Sequence, residues 1–417
     1  MPKHGFSLDT VPPILINTVD KLGWSLCIGA GTSTPLFPDW YSLVETLSTN
    51  ILPPELHLTH SDLTKTGFSA DALLQAVKNL SEYKSDNFST AISSALYQNF
   101  KSLVDPSEWR AICDVLNSNY WEQTKLDARR IFVKYRNTLL KDLTCTKISY
   151  IVIKAIKANN APSSILSFNA EPIMFHILNS LLSQEKARDS KHSKIPKDLR
   201  FSKVLGITSD LSKSRIPYYF CHGLLPVEDC PHEYSFSVEN LVFSEEEYLR
   251  LANEAFSWQS SSFLNACQNH NIVFIGVSLT DPNMRRWLSW VNHLRLEDIK
   301  HHDASVKDST QHYWITKIPK NDNEARWMEA CVSHLGVRII WINDWNEVDK
   351  VLSKILGLQD RKAAKPATTK SRKGTARKGK NWRSKNTSTS SFAEYYSGRE
   401  KLTFKCRAFE TKFSRKR

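Results

Sequence analysis

Trp24-Ser-Leu-Cys-Ile28, running straight into Gly29-Ala30-Gly31-Thr32-Ser33, decides the fold of this 417-residue chain. A short apolar run that ends in a glycine turn reads as a buried strand entering a tight loop. Pro38-Asp39-Trp40 then opens a helix to about Thr49, with Asp39 placed to cap it. Strand, glycine loop and helix in that order mark the first unit of an α/β sheet, and the rest of the chain is read outward from there.

The same alternation returns after residue 160. Ser164–Phe168, Ile216–Cys221, Asn271–Val277, His312–Ile318 and Val337–Ile342 are strand-like. Helical patterns follow at Pro172–Leu182, Glu245–Ala255, Pro282–Leu294, Asn323–His334 and Asn346–Leu356. Strands alternating with helices predict a Rossmann-like, doubly wound parallel sheet with both faces covered. Between the first strand and the second lies a different pattern. From Ser69 to Ala158 there is no glycine, and apolar residues recur at helical spacing. Ala72, Leu73, Ala76, Val77 and Leu80 form one predicted face, and Ile131, Phe132, Tyr135, Leu139 and Leu140 another. We expect a helical insertion over 69–160, its stripes serving core packing. Residues 184–215 are polar and read as a surface loop with one short strand near Val204–Ile207.

Charge divides the chain a second time. Of 56 basic and 43 acidic residues, 19 and three fall in 361–417, leaving 37 and 40 in residues 1–360. The net +13 therefore hides a slightly acidic body and a tail of +16. A basic surface spread over the whole fold is excluded. We expect a body over 1–357 and a basic, flexible tail over 358–417. The tail has phosphate-backbone contact as one reading, with Trp382, Tyr395 and Tyr396 available for stacking. A solvated tail or a protein-docking segment is the other.

No stretch is apolar enough for a membrane helix, and no secretory signal opens the chain, so a cytoplasmic protein is expected. The eight cysteines contain no Cys-x-x-Cys pair and read as reduced thiols. Cys221-His222 and Cys230-Pro231-His232 form the one Cys/His cluster, but their spacing does not suit zinc, and no metal is expected.

Four glycine or polar turns close the predicted parallel strands: Gly29–Ser33, Ser167-Phe168-Asn169-Ala170-Glu171, Cys221-His222-Gly223, and Phe274–Ser278 with Asp281. Such turns converge on one crevice at the carboxyl edge of the sheet, where α/β folds bind ligands. Gly29–Ser33 is neither a Walker loop nor a full G-x-G-x-x-G, so taken alone it is either a nucleotide loop or merely a tight turn.

Taken together these residues resemble the sirtuin family, and in particular the divergent sirtuin-like domains of bacterial antiphage defence. Gly29–Ser33 is similar to the family's Gly-Ala-Gly-x-Ser, and Pro38-Asp39-Trp40 to the Pro-Asp-Phe that follows it, with a gap about one residue shorter. Asn169 falls in the slot of the asparagine that holds the nicotinamide ribose. His222-Gly223 matches the catalytic His-Gly, and Gly276, Ser278 and Asp281 resemble the late turn at the adenosine end of NAD. The order agrees over roughly residues 20–356. The resemblance implies catalytic roles for Asn169 and His222. It also implies NAD contacts from Gly29, Ala30, Gly31, Thr32, Ser33, Asp39, Trp40, Gly276, Ser278 and Asp281.

The departures narrow the expectation. Sirtuin deacetylases carry a zinc module with two Cys-x-x-Cys pairs, and this chain has none. Glu171 stands where the family has Asp, and Ala170 replaces an aromatic or polar residue. Hydrolysis of NAD to nicotinamide and ADP-ribose, depleting the cell of NAD in abortive infection, is therefore the expected activity. Cleavage of that bond builds positive charge at ribose carbon 1, so a site needs chiefly to fix the ribose and position a nucleophile. By the resemblance, Asn169 would hold ribose hydroxyls and a water, and His222 would accept a proton. ADP-ribosyl transfer, cyclisation, or a non-catalytic nucleotide sensor with a nucleic-acid-binding tail are the alternatives. An activating or inhibiting protein partner and self-assembly are implied by the need to control a toxic activity.

Overall fold

The computed structural model describes residues 23–81, 85–188, 195–206, 215–227, 241–254, 257–302 and 310–358. The chain divides into two units, Met1–Asp360 and Arg361–Arg417. The second unit, with the basic tail, lies outside the described residues, as do Cys230 and His232.

Seven strands form one sheet: β1 (Trp24–Ile28), β2 (Ser164–Ser167), β3 (Arg200–Val204), β4 (Arg215–Phe220), β5 (Asn271–Ile275), β6 (His312–Lys317) and β7 (Val337–Ile342). Their order is β3-β4-β2-β1-β5-β6-β7, and every pairing is parallel. From β1 the chain adds β2 beside it, then the edge strand β3, with β4 between β2 and β3, and returns to place β5 on the other side of β1. β1 is thus the point where the winding reverses, and the crevice of such a sheet opens beside it.

The helices are α1 (Trp40–Ile51), α2 (His60–Lys65), α3 (Ala70–Leu80), α4 (Ser85–Leu103), α5 (Pro106–Leu116), α6 (Leu126–Asn137), α7 (Thr144–Lys157) and α8 (Ile173–Arg188). Then come α9 (Glu245–Asn253), α10 (Trp258–Asn269), α11 (Pro282–His302), α12 (Asp322–Ser333) and α13 (Val348–Ile355). Strand residues alternate between two cores, as the pleat requires. Leu26, Ile28, Ile165, Phe220, Val273, Ile275 and Ile315 face the first core, together with apolar residues of α1, α3–α8 and α13. Cys27, Leu166, Ile272, Phe274, Trp314 and Trp341 face the second, with α9–α12. The helices of 69–160 thus share one continuous core with the sheet.

They also explain α8. Residues Ile173 to Leu182 are all buried, polar His176, Asn179 and Ser180 among them. A helix buried on every side must be enclosed by other elements, and here α5, α6 and α7 pack against it opposite β3. Among the described residues no helix is long and apolar enough to cross a membrane.

Three expectations need correction. The strand predicted near Val204–Ile207 ends at Val204 and begins at Arg200, because Phe201 and Val204 are the residues that bury when β3 pairs in register with β4. The buried face of α3 is Leu73, Leu74 and Val77, while Ala76 and Leu80 are exposed. α10 escaped the reading of the sequence, since Trp258-Gln-Ser-Ser-Ser lacks an apolar stripe; it is started instead by Ser257, whose hydroxyl caps the Ser260 amide.

Candidate active site

Turns following β1, β2, β4 and β5 bring the predicted residues to one edge of four neighbouring strands. After β1, Ala30–Thr32 forms a single 3-10 turn and α1 starts at Trp40. Asp39 caps α1, its carboxylate accepting from the Ser42 amide at 2.9 Å.

The glycines allow a close approach of two loops. A Cβ on Gly29 would lie 2.6 Å from the Gly276 carbonyl oxygen, and one on Gly276 would lie 2.6 Å from the Thr32 amide nitrogen. The two loops are therefore pressed backbone to backbone, which only glycine permits. Gly29 N–H donates to Ile275 O, Gly31 to Gly276 O, Thr32 to Gly29 O and Ser33 to Ala30 O. Of the five backbone amides of Gly29–Ser33, only that of Ala30 is without a backbone acceptor among the described residues. Ala30 also lines the cleft described next.

That cleft lies over the ends of β1 and β2. Phe37, Trp40, Phe168 and Phe243 give it aromatic walls, and Ser33, Asp39, Asn169 and Glu171 supply polar groups. Asn169 is 5% exposed. Its Nδ2 donates to Glu171 Oε1 at 3.0 Å and lies 3.3 and 3.4 Å from the hydroxyls of Ser33 and Thr32. Its Oδ1 has no hydrogen-bond partner among the described residues. The amide is held at its nitrogen end, and its buried oxygen is left as an acceptor without a partner among the described residues.

Glu171, which sequence reasoning noted but did not place in the site, organises this corner. It accepts from Ser33 Oγ at 2.5 Å, from Asn169 Nδ2, and from the Ile173 amide at 2.7 Å, so it also caps the first turn of α8. Burial pushes its carboxyl up to about 7, against those three hydrogen bonds, which favour the anion. The folded protein therefore keeps a proton that the unfolded chain releases near 4.5. The resulting stability is complete below about pH 4.5, is lost as pH rises through about 7, and amounts to about 3 kcal/mol over that range. Denaturant unfolding at pH 5 and pH 8 should show Glu171→Gln losing less stability with rising pH than the unaltered chain. The difference between the two proteins is the readout, because His176 and His312, pushed down by burial, act in the opposite direction. Equal losses would remove the proton from Glu171.

His222 is 4% exposed and packs against Phe168 and Trp40, two of the residues that line the cleft. Its ring meets those of Phe168 at 4.9 Å, Tyr248 at 5.3 Å and Trp40 at 5.9 Å. Nε2 lies 3.2 Å from the Tyr248 hydroxyl and 3.6 Å from Asp281 Oδ2. Asp281 Oδ1 accepts from the amides of Asn283 and Met284, so the carboxylate is fixed as the cap of α11 while its other oxygen faces the histidine. Burial raises the Tyr248 phenol well above its usual value, so it stays protonated beside the ring. Asp281 is thereby placed at His222, a partner the sequence did not suggest. Tyr248 was missed outright; its position on the inner side of α9 is a tertiary fact. Ser278 is exposed, bonded to the Thr280 hydroxyl at 2.6 Å, and does not line the cleft.

Cys221, next to His222, is buried and its thiol is pushed up by desolvation, as is that of Cys27. Such thiols are poor ligands and nucleophiles. Among the described residues no group of three or more His, Cys, Asp or Glu could hold a metal ion.

Residues 178–335 match the family model described as the SIR2-like domain. The match takes in His222, Gly276, Ser278 and Asp281 and stops short of the Gly29–Ser33 loop and Asn169. No curated protein matches the chain significantly.

Proposed function

We propose, for a chain that carries a sirtuin-like domain and hence NAD-related chemistry, that the cleft hydrolyses NAD to nicotinamide and ADP-ribose. The observation that carries the reading is Asn169: a buried side chain on the wall of a cleft with aromatic sides, oriented through its nitrogen, whose oxygen has no hydrogen-bond partner among the described residues. A buried acceptor left unpaired costs about 1–3 kcal/mol, and a ribose hydroxyl or a water reaching it offsets that cost. The aromatic rings suit a flat pyridine ring and keep water from it. The Ala30 amide would meet the diphosphate, and Thr32 and Ser33 keep the asparagine in place.

Nicotinamide departs as positive charge grows on the ribose, so the protein's work is to orient and to move protons. Two groups serve the latter: His222, aligned by Asp281 and Tyr248, and Glu171 inside the cleft. His222→Ala should lower NAD loss by about 10²–10⁴-fold, the usual share of a general base. Circular dichroism should show the fold unchanged. Turnover equal to that of the unaltered chain would sink the assignment.

The direct test is incubation of the full chain with NAD and chromatography of the products. Hydrolysis yields nicotinamide and free ADP-ribose in equal amounts. A cyclic product or a labelled protein would establish cyclisation or ADP-ribosyl transfer at the same site. Calorimetric titration gives a second arm: a chain to which NAD does not bind has lost the reading altogether.

We propose further that this activity is under control in the cell. The enzyme acts in the cytoplasm in antiphage defence by abortive infection, is held in check by a protein partner or by self-assembly, and uses the basic segment 358–417 to recruit a nucleic acid or a protein.

A further inference from the structure

Arg136 occupies the last turn of α6 and is 2% exposed. Its guanidinium donates to Ser180 Oγ at 2.9 Å, to Gln184 Oε1 at 2.9 Å, and to Asn137 Oδ1 at 3.1 and 3.3 Å. All three acceptors are neutral. Among the described residues no carboxylate lies within ion-pair distance of it. Glu185, on the rim of the same cavity, is already shared between Lys157 Nζ at 2.5 Å and Arg188 at 3.4 Å. The end of α6 supplies only about half a negative charge. A guanidinium does not escape burial by releasing its proton, so its charge needs a counter-ion.

Beside it is a cavity between α6, α7 and α8, with Tyr150 and Arg188 also on its walls. Because Asn137 and Gln184 turn their oxygens to Arg136, their amide nitrogens remain as donors. Tyr150 adds a hydroxyl and Arg188 a second guanidinium. The wall thus sets two guanidiniums, one buried and one exposed, and several neutral donors against the single carboxylate of Glu185, a balance that suits a dianion better than a carboxylate.

We propose that this cavity binds the phosphate group of a small molecule, at a site distinct from the Asn169 cleft. The assignment is independent of NAD cleavage. The ligand would sit on α8, the same helix whose first turn is capped by Glu171 in the cleft.

Isothermal titration of the full chain with inorganic phosphate, at constant ionic strength, tests it. Saturable binding is expected, with acetate binding much more weakly. Arg188→Gln, an exposed position, should weaken phosphate about tenfold, as loss of a charge-assisted hydrogen bond does, and Arg136→Gln should abolish binding. If Arg136→Gln fails to fold, Arg188→Gln and Tyr150→Phe decide. Affinity unchanged in those variants would place the phosphate elsewhere, on the basic tail for example, and overturn the proposal. Acetate binding as tightly as phosphate would overturn it too. Ribose 5-phosphate serves as a second probe: tighter binding than inorganic phosphate supports a phosphorylated sugar as the ligand, and equal binding supports free phosphate.

Discussion

Asn169→Ala should reduce NAD cleavage by about 10²–10³-fold, the size expected when one oriented polar group that meets the reacting ribose is removed. The side chain contributes little to folding that alanine would forfeit. Its oxygen bonds nothing among the described residues, and the three groups around its nitrogen retain other partners: Ser33 bonds Glu171, Thr32 bonds the Gly29 carbonyl at 2.9 Å, and Glu171 bonds the Ile173 amide. Thermal unfolding should therefore shift little while turnover collapses. Asn169→Asp is the sharper variant. It keeps the shape but sets a second carboxylate against Glu171, whose oxygen is now 3.0 Å from Nδ2. Like charges at that distance cannot both ionise, so the variant should turn over NAD more slowly as pH rises. Product chromatography across pH 5 to 8 checks both. Alanine and native chains of equal activity would remove Asn169 from the reaction.

The largest effect on stability is expected at Gly276→Ala. The residue has φ +69°, and its added Cβ would meet Thr32 N and Cγ2, each at 2.6 Å. A left-handed alanine costs about 1–2 kcal/mol, and forcing a methyl into a closed contact costs about 1–3 kcal/mol more. The obstacle is backbone, which cannot swing aside as a side chain can. The sum is a large share of a domain's usual stability, so the midpoint of denaturant unfolding should fall steeply. Gly67→Ala is the control, since φ there is +76° but nothing lies within 4 Å. It should incur the conformational cost alone, about 1–2 kcal/mol. If the two variants are equally destabilised, the loop-on-loop contact carries no weight. Gly276→Ala should also lower activity, because the Thr32–Ser33 turn that it displaces holds the Asn169 amide.

Much of this was visible in one dimension. β1, its glycine turn and the Asp39 cap stand where Trp24-Ser-Leu-Cys-Ile28 and Pro38-Asp39-Trp40 put them, because each is governed by neighbours a few residues away. The alternation of later strands and helices was legible for the same reason, and with it the parallel sheet. Where local signals were weak the reading slipped. α10 starts with a polar run, and the face of α3 is chosen by what packs against it, which spacing alone does not reveal.

Asn169, His222 and the two other turns at the sheet edge were likewise chosen by the sequence alone, since residues at the carboxyl ends of parallel strands must share an edge. The tertiary structure decided what those residues do to one another. It pressed the glycines of two loops backbone to backbone, and raised the carboxyl of Glu171 by removing it from water. It set Asp281 and Tyr248 against His222, and it left Arg136 buried without an acid. Each of these depends on groups far apart in the chain meeting in a medium that water does not screen, and no pattern of neighbouring residues carries that information.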